Sequence, residues 1–252
     1  MSDAYVRFSL TNGIRRIEFF HPQSNSLPGK ILNELAQAIQ TAGEDPETRV
    51  IILQSQGEKA FCAGASFDEL IAIENEAGGL QFFSGFAHVI NAMRKTPQPI
   101  LVRIQGKCVG GGVGLAAAAD YAIAIDSASI KLSELAVGIG PFVVGPAVER
   151  KMGVAAYTEL AFDANSWRSA AWAREKGLFA EVHEGIAGVD AAIDRLADQL
   201  TNSNPHAMKD IKRVSWEGTG HWDTLLLERA AISGRLVLSE FTKNAIAQFK
   251  KK

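Results

Sequence analysis

Hydrophobic and polar positions alternate imperfectly along YVRFSL, from Tyr5, and IRRIEFF, ending at Phe20, on either side of Thr11-Asn12-Gly13. A period of two around an Asn-Gly turn signal predicts a β-hairpin over Tyr5 to Phe20. His21-Pro22 ends it, and a polar loop, QSNSLPG, follows. From Lys30 the apolar residues of ILNELAQAIQTA fall at helical spacing, and Glu44-Asp45-Pro46 closes that helix. Val50 to Leu53 is a short apolar run bounded by polar residues, the pattern of a strand buried on both faces. After the loop QGEKAFCAGASFDEL the pattern is helical to about Lys95, with an interruption expected near Ala77-Gly78-Gly79. Pro97 and Pro99 frame a second buried strand, Ile100 to Ile104, and Tyr121 to Ile125 is a third.

Strand, helix and strand thus recur after the hairpin, which implies α/β architecture with parallel pairing. From Val143 onward the pattern is helical: VGPAVERKMG, AAYTELAFDA, SAAWAREKG, VDAAIDRLADQL and one long segment from about Pro205 to Lys250. No repeat of 20 to 50 residues and no low-complexity linker is present. The chain therefore reads as residues 1–190, a β-containing core, continued by a helical region, 191–252.

Between the second and third strands, Gly106, Gly110, Gly111, Gly112 and Gly114 crowd in front of Leu115-Ala-Ala-Ala-Ala119. Such a cluster lets backbone approach a ligand without a Cβ in the way, and the first amides of the following helix lack internal partners. The alternative is close packing of two backbones. Gly112-Val-Gly114-Leu-Ala-Ala117 also fits the G-x-G-x-x-A dinucleotide fingerprint, but it does not turn directly off its strand and its helix is too short for the usual crossover. A second amide-presenting loop, Phe61-Cys-Ala-Gly-Ala-Ser66, likewise follows a buried strand and precedes a helix. Adjacent parallel strands would bring both loops to one edge of a sheet. Two N–H groups converging there make an oxyanion hole.

Composition narrows the partners. The 252 residues carry 26 basic and 28 acidic side chains, a net charge of −2, which offers no broad footprint for nucleic acid or an anionic membrane. Only Lys250-Lys-Lys252 is a basic run, read as a solvated tail. The start, MSDAYVRFSLTNG, has no signal pattern, and no apolar stretch has the length of a membrane span. Cys62 and Cys108 make no disulfide framework, so free thiols and a cytoplasmic location are expected. The five histidines form no short-range ligand pair, and no metal is expected.

Taken together, Lys59-Ala-Phe-Cys-Ala-Gly-Ala65, Gln105-Gly-Lys-Cys-Val-Gly-Gly-Gly112, Ala119-Asp120 and Ser133-Glu134-Leu-Ala-Val-Gly138-Ile-Gly-Pro141 resemble the crotonase family, the enoyl-CoA hydratase/isomerase superfamily. The resemblance spans about residues 5 to 250. It implies a crotonase-type spiral of ββα turns with a helical C-terminal trimerisation region, and assembly as a homotrimer or dimer of trimers. It also implies an acyl-CoA thioester whose carbonyl is held by the amides of Ala63 and Gly111, with an enolate-like intermediate and no cofactor beyond the coenzyme A of the substrate.

The departure from the family pattern is at Gly114. Hydratases of the family carry a glutamate there and a second at the place of Glu134; here only Glu134 remains. One carboxylate suits a proton shuttle, removing a proton α to the carbonyl and returning it at the γ carbon, which moves a 3-enoyl double bond to position 2. The Gly140-Pro-Phe-Val-Val144 segment also resembles that of the family's isomerases. Hydration or dehydration by Glu134 with a loosely held water, and acyl-CoA binding without catalysis, are the alternatives. Burial among Val137, Ile139 and Phe142 is expected to raise the pKa of Glu134.

The resemblance further implies coenzyme A contacts from the backbone of Ser24, Ser26, Ala63 and Ala65, with Asn25 and Ser26 matching the family's motif beside the groove. Gly110, Gly114, Val137 and Phe142 are further candidates for contact with the substrate. Lys30 and Lys59 are candidates for phosphate contact or for solvated surface. Phe249 and Lys252 match C-terminal residues that reach coenzyme A. Phe67, Leu70, Phe82, Phe83 and Phe86 fall on helices that would wall the acyl chain, or belong to the core. Ser66 is read as a helix cap in preference to a substrate contact, and His88 as a packed helix histidine.

Overall fold

The structure, a computed structural model, describes residues 3–249. A hairpin gives both of its strands to a large sheet, and each of the next three turns contributes one strand to that sheet, one to a small sheet, and helical structure. Tyr5–Thr11 (β1) and Ile14–Phe20 (β2) form the hairpin that leads into Gly29–Glu44 (α1). Val50–Ser55 (β3) and Ala60–Cys62 (β4) precede Phe67–Ile71 (α2) and Glu76–Lys95 (α3). Ile100–Ile104 (β5) and Lys107–Val109 (β6) precede Gly111–Ala118 (α4). Tyr121–Ile125 (β7) and Ser129–Lys131 (β8) precede a 3₁₀ turn, Glu134–Val137, and Gly145–Phe162 (α5).

The chain continues through Arg168–Ser169 (β9), Ala170–Glu175 (α6), Glu181–His183 (β10) and Gly185–Thr201 (α7). It then forms Pro205–Ser215 (α8), Trp222–Leu236 (α9) and Glu240–Phe249 (α10). The six-stranded sheet has the order β1-β2-β3-β5-β7-β10, and the four-stranded one β4-β6-β8-β9. From β2 onward the large sheet is parallel.

Its central strands read as continuous apolar runs because both faces are covered. Ile51, Leu53, Ile100 and Val102 enter the main core with α1 and α3, whereas Val50, Ile52, Leu101 and Ile123 pack on Val189, Ala192 and Ile193 of α7. The hairpin forms as expected, its turn using left-handed backbone at Asn12 (φ 51°) and Gly13 (φ 79°).

The expected break at Gly78-Gly79 does not occur. The helical stretch breaks between Ile71 and Glu76, and Gly79 lies inside α3, where an added Cβ would meet Gly234 Cα of α9 at 2.6 Å. The missing side chain lets those two helices cross in contact. The single long C-terminal segment is likewise three helices, α8, α9 and α10.

The Ala119-Asp120 pair secures this framework. Asp120 accepts from the Ile100 amide (2.7 Å) and the Trp216 indole (3.3 Å) and pairs with Lys212 Nζ (2.9 Å), whose side chain is almost wholly buried. Burial drives the Lys212 pKa down, and the Asp120 charge opposes that shift. One carboxylate thus ties β5 and β7 to α8.

Candidate active site

The two glycine-bearing loops meet because the short strands before them pair in parallel, with Cys62 opposite Cys108. Beyond that pair the backbones run side by side. A Cβ on Gly64 (φ +91°) would lie 3.1 Å from Val109 O and 3.7 Å from Gly111 N. Gly112 has the close-packing role: a Cβ there would lie 2.5 Å from Cys62 O. Close packing, one of the two roles expected of the cluster, is therefore present at Gly112.

Among the described residues, neither the Ala63 nor the Gly111 amide donates a loop or cap hydrogen bond. Gly111 is the first residue of α4, where an amide has no partner within the helix. Two unspent donors on neighbouring loops, one at a helix N-terminus, are of the kind that can stabilise developing negative charge on oxygen. The Phe86 ring rests against the Cα of Gly111 and leaves no room for a side chain.

Glu134 sits directly across from this helix start. A Cβ on Gly110 (φ +51°) would come within 2.7 Å of Glu134 Oε1. The carboxylate is presented by the 3₁₀ turn, which Gly138 closes in left-handed conformation (φ 81°) by donating to the Glu134 and Leu135 carbonyls. Glu134 is half-buried as a residue, but its Oε2 is sealed and has no hydrogen-bond partner among the described residues. Burial pushes its pKa up to about 7, and the residue's own backbone N–H offsets the effect only in part. Ile139 is buried, and Val137 and Phe142 are half-buried.

Gly114 lies one turn further along α4. A Cβ there would lie 2.5 Å from Val144 Cγ1 and 2.8 Å from Val144 Cβ. Position 114 is therefore filled from outside by valine, and a longer side chain has no space.

On the other flank, Leu27 and Ala65 form a bridge, with Leu27 N donating to Gly64 O (2.8 Å) and Ser66 N to Leu27 O (3.2 Å). The loop carrying Ser24 and Ser26 is thereby brought beside Ala63 and Ala65. Asn25 holds it: Nδ2 donates to Gln56 O (2.8 Å) and Ala60 O (2.9 Å), and Oδ1 accepts from His21 N (2.9 Å). The Ser26 amide is already spent on Gln23 O (3.0 Å), so of the backbone contacts expected from Ser26 only a carbonyl contact is compatible with this geometry.

Ser66 caps α2, accepting from Glu69 N (3.3 Å), as expected. Lys30 is solvated, 3.8 Å from Glu34. Phe67, Leu70, Phe82 and Phe83 are half-buried and Phe86 is buried. His88 is not packed as expected but exposed, bordering open clefts between α1 and α3 that do not include Ala63, Gly111 or Glu134. The Cys62 thiol is pushed up to about 12 by burial, which removes it as a nucleophile. Phe249 is described only as the last residue of α10, and Lys252 lies outside the described residues.

Sequence reasoning missed two supports of the carboxylate-bearing turn. Thr242 Oγ1 of α10 donates to Gly138 O (3.2 Å), and a Cβ on Gly138 would meet the Phe241 ring at 2.5 Å. Nothing local signals a contact between residues about one hundred positions apart. No group of three or more potential metal ligands occurs among the described residues, and no helix there is long and apolar enough to cross a membrane.

Known proteins resemble this chain in sequence and fold. The sequence profile of the enoyl-CoA hydratase/isomerase family matches residues 9–221. A carnitinyl-CoA dehydratase of Proteus mirabilis is 31% identical over 202 residues, covering 77% of this chain and 73% of the relative. A (7aS)-7a-methyl-1,5-dioxo-2,3,5,6,7,7a-hexahydro-1H-indene-carboxyl-CoA hydrolase of Rhodococcus jostii is 34% identical over 124 residues, about half of each chain. The crystal structure of an enoyl-CoA hydratase from Bacillus halodurans superposes with a TM-score of 0.89 at 19% identity, covering 97% of this chain and 99% of that one. With the profile spanning most of the chain and the spiral of ββα turns reproduced, the protein belongs to the crotonase superfamily, the enoyl-CoA hydratase/isomerase family of acyl-CoA enzymes.

Proposed function

We propose that the protein is a Δ3–Δ2-enoyl-CoA isomerase in which Glu134 is the sole acid/base. The thioester oxygen takes the free amides of Ala63 and Gly111, and charge that moves onto it during enolisation meets the N-terminus of α4. Each such donor is worth about 3 kcal/mol in a transition state. Glu134 takes the proton from C2 of a 3-enoyl-CoA and returns it to C4, so the double bond moves into conjugation and the carboxylate is regenerated. A pKa of about 7 suits both halves of that exchange near neutral pH.

The observation that carries this reading over hydration is Val144 at position 114. Addition of water needs a group to hold and deprotonate it while a proton is delivered to carbon. The place where a second carboxylate would arise is packed with valine.

The dehydratase named among the relatives favours the second reading, elimination of water from a 3-hydroxyacyl-CoA with Glu134 acting alone. Offering trans-3-hexenoyl-CoA and crotonyl-CoA separately decides between them by conjugated-thioester absorbance. Gain of absorbance with the first and none lost with the second is expected; rapid loss with crotonyl-CoA overturns the isomerase reading. The backbone of Ser24, Ser26, Ala63 and Ala65, brought together by the Leu27–Ala65 bridge, is the proposed seat of the coenzyme A moiety. Assembly as a homotrimer or dimer of trimers is proposed with it, supported by the exposed apolar side chains Phe162 (78%) and Phe241 (70%).

A further inference from the structure

Glu134 is carried by a single 3₁₀ turn, Glu134–Val137, an element whose hydrogen-bond geometry is poorer than that of an α-helix. Its N-terminal end has no side-chain cap from Ser133. Its C-terminal end is closed by two amides: Gly138 N donates to the Leu135 carbonyl (3.0 Å) and Ile139 N to the Glu134 carbonyl (3.0 Å). The left-handed glycine between turn and strand is therefore the hinge of the carboxylate. Any shift of its backbone passes through those bonds to Glu134.

That hinge is gripped from outside by the first turn of α10. Thr242 Oγ1 donates to Gly138 O (3.2 Å), and Ser239 Oγ donates to Thr242 Oγ1 (3.2 Å), which leaves the threonine proton for the glycine carbonyl. The same serine oxygen accepts from Thr242 N (3.3 Å), so the threonine backbone is fixed as well. Thr242 is wholly buried, a setting in which a hydroxyl needs its partners. A Cβ on Gly138 would lie 2.6 Å from Thr242 Oγ1 and 2.5 Å from the Phe241 ring, so both side chains rest on the glycine Cα. Phe241 makes this contact while mostly exposed, so core burial does not account for it.

We propose that Thr242 and Phe241 are positioning residues for Glu134, pinning Gly138 so that the carboxylate stays over Gly110 within reach of the reacting carbon. The inference rests on the acid/base reading of Glu134. Proton transfer needs the carboxylate at hydrogen-bond reach, so a turn that drifts slows the chemical step. Substrate binding is spared, because the contacts proposed for coenzyme A and the thioester oxygen come from the loops of Ser24, Ser26, Ala63, Ala65 and Gly111, not from this turn.

The test is Thr242→Val, which keeps the side-chain shape and loses the hydroxyl, assayed with whichever of trans-3-hexenoyl-CoA and crotonyl-CoA the parent turns over. The value of kcat should fall about ten-fold at unchanged KM. Thr242→Ser keeps the donor and should retain most of kcat; a packing role predicts the reverse order, since serine loses a methyl that valine keeps. Phe241→Ala removes the second brace from the surface and should also lower kcat at unchanged KM, which decides the matter if valine at 242 prevents folding. A kcat within about two-fold of the parent in the folded variants, or a valine variant faster than the serine one, overturns the proposal. Glu134→Gln separates the two claims. Full turnover by that variant, or none by the parent, removes the acid/base reading and this proposal with it. An active parent and an idle glutamine variant, beside unimpaired Thr242→Val and Phe241→Ala, strike this proposal alone.

Discussion

Replacing Glu134 by glutamine should make the protein more stable at alkaline pH. The carboxyl titrates at about 7 in the folded chain against an ordinary 4.5. A folded pKa raised in this way means that the fold prefers the neutral acid. The stabilisation is complete below 4.5 and is lost as pH rises through 7. The gap corresponds to roughly 3 kcal/mol in full, of which about 2–3 kcal/mol falls between pH 5 and pH 9. Glutamine stays neutral throughout, so the stability difference between variant and parent should shift by that amount in the variant's favour over this range.

Urea unfolding of both proteins at the two pH values, at one protein concentration, measures it. Every other titrating group is common to the two chains, so the change in their difference isolates position 134. Equal slopes against urea would show that the unfolded states are comparable. A difference that stays constant within about 0.5 kcal/mol from pH 5 to pH 9 would refute the burial argument, and with it the tuned acid/base group.

Two further outcomes follow from the packing. Gly114→Glu, the substitution that restores the hydratase pattern, should lose about 1–3 kcal/mol from overpacking against Val144 and gain no hydration of crotonyl-CoA; adding Val144→Ala should recover much of the stability, and a fully stable single variant would show that the space exists. Asp120→Ala should cost about 3–5 kcal/mol by leaving Lys212 buried without its carboxylate, and combining it with Lys212→Met should return a large part of that loss in urea unfolding, whereas an additive loss would contradict the pairing.

The parts of this fold legible in the sequence are those whose signal is local. The Asn12-Gly13 turn, the amphipathic α1 and the doubly covered strands β3, β5 and β7 each carry a pattern over five residues or more. Strands β4, β6, β8 and β10 are three residues long and β9 two, too short for any period to register. The loop containing Lys107-Cys-Val109 therefore concealed the second sheet. Gly78-Gly79 misled because glycine signals a break in isolation, whereas Gly79 serves a helix crossing at Gly234. At the candidate site, the family motifs marked Glu134 and both amides, but the plug of Val144 against Gly114 and the brace of Phe241 and Thr242 on Gly138 arise only in three dimensions.

Helix α10 is the last described element, and its Phe241 and Thr242 brace Gly138 on the turn that carries the buried carboxylate. Every described strand therefore precedes, along the chain, the helix that braces the turn carrying Glu134.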